Sequence, residues 1–95
     1  MNGPGKTVNW ENETRRILRA ELVRRGITYA MLARRLQSIG IRETERSIAN
    51  KMSRGTFSFA FFLQCMSALG VQTLHIQIPT QSRQSGSVLS RAASD

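Results

Sequence analysis

The sequence predicts a mainly α-helical domain of four to five helices that ends in one β-strand. Three observations predict it. Single glycines at positions 26, 40, 55 and 70 each follow a stretch whose apolar residues recur at helical spacing, and glycine accepts the left-handed conformation that ends a helix. Beyond Gly70 the apolar residues switch to strict alternation, which is a strand pattern. A chain of 95 residues is long enough for one core and too short for two.

The first helix is expected from about Trp10 to Arg25, with Asn9 as its N-cap. Trp10, Thr14, Ile17, Leu18, Glu21 and Leu22 fall along one side, and Arg15, Arg16, Arg19, Arg24 and Arg25 along the others. The second starts at Thr28, whose hydroxyl suits a cap, carries a narrow stripe of Leu32, Ala33 and Leu36, and ends near Ser38. The third begins around Thr44, buries Ile48, Ala49 and Met52, and stops at Gly55. The fourth starts near Ser58 with a stripe of Phe59, Phe62, Leu63, Met66 and Leu69, so it is expected to supply most of the core. Phe61 and Cys65 lie off that stripe, and aromatic and free cysteine residues there are expected to be buried as well. Over residues 71–78, Leu74, Ile76 and Ile78 alternate with Thr73, His75 and Gln77. A lone strand cannot satisfy its own backbone, so these residues are expected to pair with an extended piece of the same chain or, more simply, across a homodimer. Residues 1–9 and 79–95 are poor in apolar side chains and read as disordered tails around a domain at 10–78.

Fourteen Lys and Arg against six Asp and Glu give a formal charge of +8. That balance favours a polyanionic partner, because each neutralised phosphate releases counterions. One Cys and one His allow neither an internal disulfide nor a metal cluster, so no metal and no cofactor is expected. The acidic residues, His75 and Cys65 make no nucleophile, base or carboxylate pair at catalytic spacing, and the glycines occur singly instead of in a phosphate-binding loop. An enzyme is not expected. No apolar run approaches the roughly 20 residues of a membrane span, and the start Met-Asn-Gly-Pro-Gly-Lys lacks a signal-peptide core. A cytoplasmic protein with no membrane partner is the expectation.

Three segments carry a family resemblance: TYAMLARRL (Thr28 to Leu36), NKMSRG (Asn50 to Gly55) and FFLQCMSALGV (Phe61 to Val71). Together they resemble the Cro/repressor-like (XRE-type) helix-turn-helix superfamily. The stretch NKMSRGTFSFAFFLQCMSALGV is also similar to a small, mostly bacterial family of unknown function. The first resemblance implies a lambda-repressor-like fold that binds double-stranded DNA with the helix at 44–54 in the major groove, and a transcriptional regulator that is nucleoid-associated when bound to DNA. Gly40 stands seven residues beyond Ala33, farther than in the usual pattern, so the turn before that helix is enlarged.

On that reading Arg46, Ser47, Asn50 and Lys51 are expected to contact bases. Arg matches the two acceptors of guanine, Asn matches adenine, and Ser and Lys suit either an edge or a phosphate. Thr28, Tyr29, Arg34, Arg35, Arg42 and Arg54 are expected on the DNA backbone. Glu43 and Glu45 favour the start of the third helix electrostatically or accept from cytosine. The competing expectation is a protein-interaction module, adaptor or antitoxin-like, that uses the 71–78 strand, its basic face then being incidental. RNA is disfavoured, since one Tyr and one Trp give little to stack unpaired bases on.

Overall fold

A computed structural model of the chain describes residues 7–80; most of the two expected tails lies outside that range. Four helices follow in order: α1 (Trp10–Arg25), α2 (Tyr29–Ser38), α3 (Glu45–Arg54) and α4 (Phe59–Ala68). Each begins where a short polar side chain takes over a free backbone donor. Asn9 Oδ1 accepts from the Asn12 N–H at 3.0 Å, Thr28 Oγ1 from Met31 at 3.1 Å, and Ser58 Oγ from Phe61 at 3.0 Å. Thr44 and Ser47 form a reciprocal pair at the head of α3, the Ser47 N–H donating to Thr44 Oγ1 and the Thr44 N–H to Ser47 Oγ. Each such cap is worth about 1 kcal/mol.

The core draws on all four helices: Leu18 and Leu22 from α1, Leu32, Ala33 and Leu36 from α2, Ile48 and Met52 from α3, and Phe61, Phe62, Cys65 and Met66 from α4. α2 is its hub, packing against both α3 and α4. Burying each of the larger side chains stabilises the fold by roughly 1.5–3 kcal/mol. One acid joins them. Glu21 is almost fully buried on α1, with its carboxylate 3.3 Å from both Arg24 and Arg25, although Oε1 lacks hydrogen-bond geometry to Arg25.

The face that α4 buries differs from the expected stripe. Phe61 and Cys65 are buried, whereas Phe59 is 70 % and Leu63 51 % exposed. The segment FAFFLQCMSA is apolar nearly all the way round, so helical spacing alone cannot choose its inward side; contact with α2 does. Trp10, at the expected apolar edge of α1, is likewise exposed.

Gly55 closes α3 in the left-handed region, at φ +68°, and here the chain also passes very near α1. A Cβ at this position would lie 2.7 Å from the Glu11 carbonyl oxygen. Glycine is therefore required twice, by conformation and by space.

Among the described residues there is no β-strand. Residues 71–78 run without helix or ladder, and Leu74 and Ile76 pack partly buried on the core of their own chain. Arg16 donates weakly to the Gln77 carbonyl at 3.5 Å, which fastens the segment to α1. Of the alternating residues, Leu74 and Ile76 are thus laid on the helices of the same chain, while Ile78 is 61 % exposed.

Candidate nucleic-acid interface

The connection from α2 to α3, residues 39–44, is longer than a tight turn because it contains its own anchor. Ile41 is partly buried against the core and donates to the Leu36 carbonyl at 2.9 Å. Gly40 turns at φ +86°, and Gln37 Nε2 donates to the Glu43 carbonyl at 2.6 Å. The enlarged turn is a plugged and hydrogen-bonded one, so it fixes α3 on α2.

That turn aims the Glu43 side chain inward, where it is 11 % exposed. Ser47 Oγ donates to Glu43 Oε1 at 2.6 Å, and Lys51 Nζ lies 3.3 Å from Oε1 and 3.2 Å from Oε2. The same ammonium stands 5.2 Å from the centre of the Phe61 ring, within cation–π range. Cys65 is close enough to this pair to sense it. Burial pushes its thiol up from the ordinary 9.0 to about 12, the Glu43 charge adding to the rise and Lys51 opposing it.

The residues expected to read bases therefore divide. Arg46 and Asn50 are exposed on the side of α3 away from Ile48 and Met52. Ser47 and Lys51 turn instead toward Glu43. Two positions not expected at the interface share the outward side. Ala49, which the sequence pattern assigns to the core, is only half-buried, and Ser53 is exposed; they stand three residues after Arg46 and Asn50 respectively. That spacing was the available signal.

Of the residues expected on a nucleic-acid backbone, Thr28 is exposed with its oxygen engaged as the α2 cap. Tyr29 packs partly buried beside it and lines, with Thr44, Glu45, Arg46 and Ala49, a cleft of about 520 Å³ between the starts of α2 and α3. Arg34 and Arg35 are exposed on α2, Arg42 in the turn, and Arg54 at the end of α3.

Charge is distributed unevenly among these elements. Over residues 28–55 there are six basic and two acidic side chains, against five and three over α1. Ion pairing sharpens the contrast: Arg16 pairs with Glu13, Arg24 and Arg25 with Glu21, and Lys51 with Glu43. Arg34, Arg35, Arg42, Arg46 and Arg54 form no side-chain ion pair or hydrogen bond among the described residues. Arg15 and Arg19 of α1 are likewise without an ion pair, so five of the seven unpaired arginines among the described residues lie on α2, the turn and α3.

The described residues contain no group of three or more His, Cys, Asp or Glu side chains able to hold a metal ion. None of their helices is long and apolar enough to cross a membrane.

Fold and surface together define a small all-α domain whose second and third helices, locked by a plugged turn, carry an unneutralised basic face. A family model described as Domain of unknown function (DUF6471) matches residues 10–74, and the chain belongs to that family. No curated protein and no solved structure matches the chain.

Proposed function

We propose that this protein binds double-stranded DNA sequence-specifically as a helix-turn-helix transcriptional regulator, with α3 in the major groove. The observation that carries the reading is the set of five arginines without internal partners on α2, the turn and α3. Arg46 and Asn50 match the acceptor and donor edges of guanine and adenine, and Ala49 offers a methyl contact to thymine. Thr28, Tyr29, Arg34, Arg35, Arg42 and Arg54 hold the backbone on either side.

The protein acts as a homodimer through the 71–78 segment and the uncovered face of α4. Two features support this. The backbone of residues 72–78 has no ladder partner among the described residues, and Gly55 to Thr80 contains no Asp, Glu, Lys or Arg. A chain of net charge +8 associates with a copy of itself most readily through an uncharged surface. Two-fold symmetry then predicts half-sites one helical turn apart, roughly 34 Å.

Arg46→Ala and Asn50→Ala test the assignment against a panel of single-base variants of a bound site. Each should remove preference at one position, worth about 1–3 kcal/mol. Even weakening across the whole panel would mean that both side chains contact phosphates. A second reading, an adaptor or antitoxin-like module, draws on the exposure of Phe59, Leu63 and Ile78; it predicts DNA retention that is absent or insensitive to salt.

A further inference from the structure

We propose that Glu43 is a specificity-determining residue that withholds Lys51 and Ser47 from the DNA-facing surface; this rests on the DNA-binding reading above. Glu43 is secured from both sides. Its carbonyl accepts from Gln37 of α2 at 2.6 Å, and its carboxylate accepts from Ser47 and Lys51 of α3. The acid is 11 % and the lysine 32 % exposed, and Phe61 of α4 closes over the ammonium. Lys51 cannot leave for a phosphate without stranding a largely buried carboxylate, a costly state. The pair is electrically neutral, so it adds no cation to the interface. What remains beside Arg46 on α3 is the set Ala49, Asn50 and Ser53, with Glu45 and Arg54 exposed at the two ends of the helix.

The consequence concerns discrimination. A flexible lysine beside the reading face would strengthen binding to every sequence alike, because a phosphate contact carries no base information. Neutralising it within the fold keeps sequence-independent affinity low while the base-reading side chains stay in place. Glu45, exposed two residues beyond Glu43 and without a side-chain partner among the described residues, removes positive potential but restrains no lysine.

The test is a salt titration of binding to a random-sequence duplex, from about 50 to about 200 mM, with the wild type, Glu43→Gln, Glu45→Gln and the double variant Glu43→Gln with Lys51→Met. Freed in Glu43→Gln, Lys51 should steepen the log–log salt slope by about one and tighten random-duplex binding, narrowing the margin over a selected site. Glu45→Gln should leave the slope unchanged, and the double variant should return to the wild-type slope. A wild-type slope in Glu43→Gln, or a slope shallower by about one in the double variant, overturns the proposal; the latter would show Lys51 on a phosphate already.

A measurement without DNA separates the two claims. In the wild type the Lys51 ε-methylene protons, held against Phe61, should resonate upfield of their random-coil position by NMR, and Glu43→Gln should move them back. Random-coil shifts in the wild type overturn the restraint while leaving the DNA reading intact. Upfield shifts together with no retention of any duplex at about 50 mM salt refute the DNA reading, and the role of Glu43 in discrimination with it.

Discussion

Replacing Gly55 with alanine probes the close approach of the end of α3 to α1, beside the α2 packing that carries the proposed reading helix. Two effects add. An L-residue held in the left-handed region loses roughly 1–2 kcal/mol. The new methyl would also meet the Glu11 carbonyl at 2.7 Å, Glu11 Cβ at 3.0 Å and Arg15 Cζ at 3.2 Å, and overpacking of this kind costs about 1–3 kcal/mol. Gly26 supplies the control: its φ of +67° is nearly the same, and a methyl added there would meet nothing within 4 Å. Gly26→Ala should therefore lose about 1–2 kcal/mol and Gly55→Ala about 2–5 kcal/mol, measured by urea unfolding followed by far-UV circular dichroism. A domain of this size loses about 4–8 °C in melting temperature per kcal/mol, so the two variants should separate clearly by heat as well. Equal losses, within about 0.5 kcal/mol, would show that α1 and α3 do not meet as described.

Other perturbations reach the core, the thiol and the uncovered face. Leu36→Ala empties a fully buried position on the hub helix and should destabilise by about 2–5 kcal/mol; a loss under about 1 kcal/mol would contradict that placement. Below pH 9 the Cys65 thiol keeps its proton in both folded and unfolded chains. Between its ordinary 9.0 and about 12 only the unfolded chain releases it, so stability should fall with rising pH by up to about 1.4 kcal/mol per unit. Cys65→Ala should lack that contribution, and parallel stability curves for the two proteins above pH 9 would refute the burial of the thiol. Phe59→Glu with Leu63→Glu should leave folding nearly unchanged, because both side chains are more than half exposed, yet convert a dimer to a monomer in sedimentation equilibrium. A variant that sediments like the wild type removes that face from the interface.

Helix positions were legible because each is punctuated chemically at both ends. Asn9, Thr28, Thr44 and Ser58 supply oxygen to the first free N–H groups, and the glycines at 26 and 55 take positive φ where α1 and α3 stop. These are local interactions, readable within a few residues. The inward face of α4 was not legible, since its periodicity is blurred by apolar residues on every side and the choice belongs to α2. Nor was the fate of Ser47 and Lys51: helical spacing put them with Arg46 and Asn50, but the plugged turn brings Glu43 back over them, a tertiary event. Alternation over 71–78 marked Leu74 and Ile76, which pack inward, and Ile78, which does not. It could not tell a segment packed on its own helices from a strand paired with a neighbour, because both bury every second residue.

The unpaired arginines of α2, the turn and α3, with the outward face of α3, are proposed to read duplex DNA. Selection from a random duplex library at near-physiological salt, with sequencing of the retained pool, tests this most directly. The retained pool should be enriched in a two-fold symmetric motif with half-sites about one helical turn apart, and Arg46→Ala or Asn50→Ala should lose one base preference in each half-site. A retained pool as random as the input, or no retention at all, would contradict it.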